Sequence, residues 1–187
     1  MIAGKLRSRR LRSLRGADIR PTSDRLRETL FNVLTAGNPD VLSGSVWLDL
    51  YAGTGAVGIE ALSRGAGMVF LVESSPAAAG LIAHNLRSLG LETGFRILRQ
   101  EGTRSLRALE AENITADFVF IDPPYRLENA YRETLSLLSK SKLLGPETVV
   151  VAEHQKKFEL ENDVLSLHRY RKLQQGDSVL SFYRKKS

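Results

Sequence analysis

The chain has 187 residues, 42% of them hydrophobic and 26% charged, a balance that suits one soluble domain with a sizeable core. Cysteine is absent, which excludes disulfides, thiolate metal sites and cysteine nucleophiles, and no apolar run approaches the roughly 20 residues that span a bilayer. The net charge of +6 is gathered at the start, where residues 1–27 carry nine basic side chains against two acidic ones, the footprint of a polyanion-binding arm.

Residues 1–22 are read as that basic arm, a small hairpin or extended segment, and residues 23–187 as the single folded domain. A solvated tail or an Arg- and Ser-rich transit peptide would share the arm's composition. Gly4 and Gly16 weaken the amphipathic helix that a transit peptide needs. After Pro21, the residues Thr22-Ser23-Asp24 are N-cap types, and Leu26, Leu30, Phe31 and Leu34 recur at helical spacing, so a helix is predicted near 23–36. Val46-Trp47-Leu48-Asp49-Leu50 reads as a central strand, followed by a glycine-rich loop and a helix ending by Gly65. Met68 to Val72 is a second buried strand, closed by Glu73. Ser75 and Pro76 then form an N-cap and N1 pair for a helix with Leu81, Ile82, Leu86 and Leu89 inward.

Phe95-Arg96-Ile97 alternates as a half-exposed edge strand does. A short helix near 103–111 leads to the apolar run Phe118–Ile121, and Tyr131, Leu135 and Leu138 mark a further helix. Thr148 to Ala152 is another buried strand, ending in Glu153-His154. Residues 164–173 and 178–184 read as a hairpin around Gly176-Asp177. Apolar strands alternating with helices imply an α/β, doubly wound, mostly parallel sheet with an antiparallel hairpin at its C-terminal end.

Two stretches carry chemistry. Gly53-Thr54-Gly55-Ala56-Val57-Gly58 is a G-x-G-x-x-G between a strand and a helix, with Glu73 about twenty residues after its first glycine, placed to accept from ribose hydroxyls. The pattern fits a dinucleotide or S-adenosylmethionine alike. Asp49 favours the second, because a carboxylate before the loop suits a methionine ammonium and repels a pyrophosphate. A structural role, bonding the loop backbone, is the alternative for it. The other stretch is Asp122-Pro123-Pro124-Tyr125, at the end of a strand. An exocyclic amino group on a base is a poor nucleophile, and two acceptors can hold its hydrogens and turn its lone pair outward. Asp122 and the rigidly held Pro123 carbonyl offer those acceptors, Pro124 completes the stiff corner, and Tyr125 offers a stacking face. A strand that merely ends in a proline turn would look the same in isolation.

Asp49-Leu50-Tyr51-Ala52-Gly53-Thr54-Gly55 followed by Asp122-Pro123-Pro124-Tyr125 resembles class I methyltransferases that act on exocyclic nitrogen. The run Arg20-Pro21-Thr22-Ser23-Asp24-Arg25-Leu26-Arg27-Glu28-Thr29-Leu30-Phe31-Asn32, with Gly4-Lys5 and the arginines, resembles the bacterial family that methylates guanine N2 in small-subunit ribosomal RNA. The resemblance implies a Rossmann-like fold with a seven-stranded sheet and S-adenosylmethionine as donor. Its substrate would be 16S ribosomal RNA, within a partly assembled small subunit. It places Asp49, Tyr51, Gly53, Gly55, Glu73, Thr22 and Arg25 at the cofactor, with an RNA phosphate or a purely structural role as the alternatives for Thr22 and Arg25. It gives Lys5, Arg7, Arg9, Arg10, Arg12 and Arg20 to RNA, and Asp122, Pro123, Pro124 and Tyr125 to the target base. Glu101 stands where many such enzymes hold the adenine amino group, and is read as a surface glutamate. His84, Asn85 and His154 are read as helix-surface or strand-end residues. No metal is expected, and the protein is expected to be cytoplasmic and monomeric. Adenine-N6 methylation of DNA and non-catalytic RNA binding during ribosome assembly are the competing functions.

Overall fold

The computed structural model of the chain describes residues 1, 3–13, 23–124 and 127–186. A 3-10 turn at Gly4–Leu6 is followed by helix α1 (Asp24–Thr35), whose N-cap Ser23 accepts from the Leu26 amide at 3.1 Å. The alternation then runs β1 (Val46–Leu50), α2 (Ala56–Ser63), β2 (Met68–Val72), α3 (Pro76–Ser88), β3 (Phe95–Leu98), α4 (Gly102–Ala111), β4 (Ala116–Ile121) and α5 (Glu128–Lys140). It closes with β5 (Leu144–Gln155), β6 (Asp163–Val164), β7 (Leu167–Gln175) and β8 (Ser178–Lys185).

The sheet order is β3-β2-β1-β4-β5-β8-β7-β6. Pairings from β3 across to β5 are parallel, and those involving β8, β7 and β6 are antiparallel. The sheet therefore has eight strands rather than the seven implied by resemblance. The extra one, β6, pairs only Asp163 with His168 and Val164 with Leu167, too short a segment to show alternation in sequence. β5 also starts earlier than the apolar run from Thr148, because Leu144 pairs with Ala116 before the register shifts. β3 lies at the open edge, as its half-exposed pattern requires.

Both faces of the sheet are covered. On one, Leu26, Leu30 and Phe31 of α1 pack with Val57, Ile59, Ile82 and Leu86 of α2 and α3 against Trp47, Phe118 and Phe182. Trp47 stacks between Phe31 at 5.4 Å and Phe118 at 5.3 Å, which seats α1 over β1 and β4. On the other, Leu106 and Leu109 of α4 and Tyr131, Leu135 and Leu138 of α5 cover Leu48, Val119 and Val150. The chain order reverses direction between β1 and β4, which makes their C-terminal ends the switch point where open α/β sheets bind ligands. No helix among the described residues is long and apolar enough to cross a membrane.

Candidate active site

β1 delivers Asp49 to this edge almost wholly buried, and its Oδ2 accepts from the Gly58 amide at 2.8 Å. Glycine at 58 permits the contact, since a Cβ there would fall 2.7 Å from Leu71 Cδ2 and 3.0 Å from the same Oδ2. Burial pushes the Asp49 carboxyl up to about 7, against the lowering effect of the Gly58 amide and with help from the Glu73 charge. The structural role weighed for Asp49 is thus present.

Beyond β1 the chain turns sharply. Tyr51 takes φ 65°, a left-handed conformation that costs a non-glycine residue roughly 1 kcal/mol or more. It is held there by a hydrogen bond between its hydroxyl and Thr134 Oγ1 at 2.9 Å, and its ring lies against Gly102, where a Cβ would approach within 3.1 Å. Gly53 (φ 56°) and Gly55 (φ 77°) complete the loop before α2. The Gly53 amide donates to Glu73 Oε2 at 2.9 Å, and the Ser75 amide donates to Glu73 Oε1 at 2.8 Å. Glu73 therefore has a second task besides the ribose role expected of it: it ties the end of β2 to the glycine loop.

At the end of β4 the Asp122 amide reaches the Leu50 carbonyl at 3.4 Å, so the Asp-Pro-Pro corner abuts the start of the loop. Asp122 is half-buried, Pro123 buried and Pro124 exposed. Burial raises the Asp122 carboxyl well above the usual carboxylate range, and the charges of Glu153 and Asp49 raise it further. The Tyr131 hydroxyl, from α5, donates to the Glu153 carbonyl at 2.8 Å and lies 3.3 Å from the Pro123 carbonyl. Tyr131 thus clamps the corner to β5. The Pro123 oxygen keeps a second lone pair for another donor.

Tyr125, Thr22 and Arg20 lie outside the described residues. Arg25 is exposed on α1, whereas Arg27 is buried and paired with Asp24. Glu101 is exposed at the start of α4, as expected of a surface glutamate. Among the described residues no group of three or more His, Asp or Glu is arranged to hold a metal ion.

The described part of the arm is seated on α2 and α3. The Ala3 amide donates to Glu60 Oε1 at 2.9 Å, the Leu6 amide to Ser63 Oγ at 2.9 Å, and Ser63 Oγ to the Ala3 carbonyl at 2.7 Å. The Arg12 amide donates to Asn85 Oδ1 at 2.9 Å. The side chains of Lys5, Arg7, Arg9, Arg10 and Arg12 remain exposed, with Arg9 Nη2 also reaching the Ser88 carbonyl at 3.0 Å.

Asn85, read as a helix-surface residue, is not one, and His154 stands at the end of its strand as read but without exposure. Asn85 is wholly buried, and Ile82, Asn85, Leu86 and Leu89 follow the i, i+3, i+4, i+7 spacing that would have placed it inward. His154 is also fully buried within β5, its Nε2 2.9 Å from Ser181 Oγ and its Nδ1 3.0 Å from the Gln155 carbonyl. Burial lowers its pKa, as expected of a neutral core histidine. Tyr131 was legible only as an apolar helix position. Its hydroxyl was the overlooked signal, because a buried tyrosine needs a partner.

A family model described as conserved hypothetical protein 95 matches residues 1–184. The chain belongs to that family. It is 34% identical over 175 residues to "Ribosomal RNA small subunit methyltransferase D" of Escherichia coli (strain K12), covering 90% of this chain and 82% of that one. It is 32% identical over 186 residues to YlbH of Bacillus subtilis (strain 168), covering 100% of this chain and 98% of that one. The solved structure of the Escherichia coli protein yhhF is similar with a TM-score of 0.83 at 28% identity, covering 100% of this chain and 97% of that one. The resemblance noted in the two motifs and the N-terminal run is borne out at the level of the family, and so is the α/β fold.

Proposed function

We propose that this chain is a methyltransferase of small-subunit ribosomal RNA that modifies the exocyclic N2 of a guanine, with S-adenosylmethionine as donor. The ribosomal RNA substrate rests on the family and its relatives. The observation that carries the chemistry is the meeting, at one switch point, of the glycine loop, the buried Asp49 carboxyl bonded to that loop's Gly58 amide, and the Asp-Pro-Pro corner that abuts the end of β1. The charges of Glu153 and Asp49 both act on Asp122, and that of Glu73 acts on Asp49. Such a pocket disfavours the pyrophosphate of a dinucleotide and favours a ligand that brings positive charge.

S-adenosylmethionine, when bound, supplies a methyl group already activated by its positively charged sulfur. Asp49, Gly53, Gly55 and Glu73 are the residues that would hold it, with the Asp49 carboxylate toward the ammonium. The chain's own contribution to the chemistry is orientation. Asp122 and the Pro123 carbonyl accept the two amino hydrogens of the base, which turns the nitrogen lone pair toward the cofactor side of the pocket. Tyr131 keeps the Pro123 carbonyl in place. As the nitrogen gains its methyl it becomes acidic and gives up one proton. Asp122, made more basic by burial and by its neighbours, is placed to take it. Tyr125 is assigned to stack the base, and the exposed cations of the arm to contact phosphates. The substrate is then a guanine presented by a partly assembled small subunit in the cytoplasm, and the enzyme works as a monomer.

One assay tests this. The protein and labelled S-adenosylmethionine are incubated with undermethylated small subunits, naked 16S ribosomal RNA and DNA, and the products are digested to nucleosides. N2-methylguanosine from ribosomal RNA is the expected product. Label found only in N6-methyladenine from DNA promotes the competing reading, and RNA binding without label in any nucleoside promotes the assembly factor.

A further inference from the structure

The side chain of Asn85 lies at a junction that the proposed chemistry does not use. Its amide is buried on α3 and bonded to two separate segments. Oδ1 accepts from the Arg12 amide at 2.9 Å, while Nδ2 donates to the Arg12 carbonyl at 3.2 Å and to the Thr54 carbonyl at 3.0 Å. Both donor hydrogens are thereby committed, one to the basic arm and one to the middle of the glycine loop. The rest of the arm is seated by equally buried groups, Glu60 and Ser63 of α2, the helix that begins at that loop. Gly4 is the close-approach point: a Cβ there would fall 1.9 Å from the Ser63 carbonyl oxygen.

We infer that Asn85 is a positioning residue that couples the arm to the glycine loop, so that RNA and cofactor bind cooperatively. The inference rests on the RNA-methylating function proposed above. The arm backbone is fixed while its cations face solvent, so phosphates gathered by Arg7, Arg10 and Arg12 favour the seated arm. A seated arm holds the Asn85 amide in place, and that amide holds the Thr54 carbonyl inward. A loop that loses this donor leaves a buried carbonyl unsatisfied, so seated arm and formed loop are populated together. By linkage the effect is reciprocal: cofactor tightens RNA by the factor that RNA tightens cofactor.

The experiment titrates S-adenosylhomocysteine into the full chain, alone and with saturating unmethylated 16S ribosomal RNA transcript, and takes the ratio of the two dissociation constants. A ratio of roughly 5 to 10 is expected for the unaltered protein, within the usual range of coupling between sites. Asn85→Asp keeps the acceptor for the Arg12 amide and nearly the same shape, but it replaces the donor to both carbonyls with an oxygen. The ratio should fall to about 1 in that variant. Ser63→Ala loosens the arm from its far side with Asn85 intact and should lower the ratio part-way. It decides the matter if the Asp variant fails to fold, which melting and circular dichroism report. RNA that binds with a ratio of 1 in the unaltered protein, or a ratio preserved in both seat variants, overturns the coupling alone. Absence of binding by the unaltered protein to the transcript and to undermethylated small subunits alike overturns the RNA reading and the coupling with it.

Discussion

On the proposed reading, in which the Asp49 carboxylate meets the cofactor ammonium, cofactor binding should release a proton. In the free protein that carboxyl sits at about 7, so at pH 6 it is about nine-tenths protonated and at pH 8 about one-tenth. Meeting a cofactor ammonium requires the ionised form, so binding should release about 0.9 proton at pH 6 and about 0.1 at pH 8. Affinity should accordingly rise roughly a hundredfold between pH 5 and pH 8, about 2.7 kcal/mol, and level off above it. The same shift acts on the fold with a definite sign. A carboxyl raised from its ordinary value of 3.8 to about 7 stabilises the protein fully below its unfolded pKa, and that contribution is lost as pH rises through 7. About 4 kcal/mol is at stake for a shift of this size, and the ligand's cation offsets it. Isothermal titration of S-adenosylhomocysteine at several pH values, in buffers of different ionisation enthalpy, counts the protons directly. The product carries the ammonium without the sulfonium charge, which isolates the contact in question. Asp122 is raised in the same direction, so the decisive comparison is with Asp49→Asn, which should lose the Asp49 share of the proton release. An Asn variant whose proton count and pH profile match the unaltered protein would refute the role given to Asp49.

Other substitutions separate binding from chemistry and packing. Asp122→Ala should retain S-adenosylhomocysteine affinity near pH 7.5 while turnover falls roughly a hundredfold or more, measured by methyl incorporation into ribosomal RNA; a variant that keeps its turnover removes Asp122 from the reaction. Tyr131→Phe deletes the hydroxyl that reaches the Glu153 and Pro123 carbonyls and should cost about 1–2 kcal/mol in urea unfolding. It should also lower kcat with little change in cofactor affinity, and unaltered kcat would show that the Pro123 carbonyl needs no clamp. Gly58→Ala, ordinarily favourable inside a helix, should instead destabilise by about 1–3 kcal/mol, because its methyl would crowd Leu71, Val69 and the Asp49 carboxylate. A neutral or stabilising result there would mean that α2 is free to move away from β1 and β2.

Much of this protein is determined by local pattern, and local pattern is legible in a sequence. The helix at Pro76–Ser88 begins at its expected N-cap, Ser75, because capping and a proline at N1 are decided within one turn. Val46–Leu50 and Met68–Val72 are strands because apolar runs of that length, interrupted in the first only by Asp49, bury both faces. The glycine loop and the Asp-Pro-Pro corner declare themselves through backbone requirements that few residues meet. Tertiary structure decides which polar groups find one another. Glu73 bonds the Gly53 amide because β2 lies beside β1, and Tyr131 reaches Pro123 because α5 crosses the end of β4. Asn85 holds both Arg12 and Thr54, and nothing adjacent to it in the chain announces either partner. A basic N-terminal run of this composition reads as a polyanion-binding arm, and composition does not say what its backbone rests on. The structure seats the backbone of the arm's described part on α2 and α3, through Glu60, Ser63 and Asn85. The raised carboxyls of Asp49 and Asp122 have the same origin: a carboxylate's pKa depends on the burial and charge that distant segments bring to it, and no spacing along the chain records that.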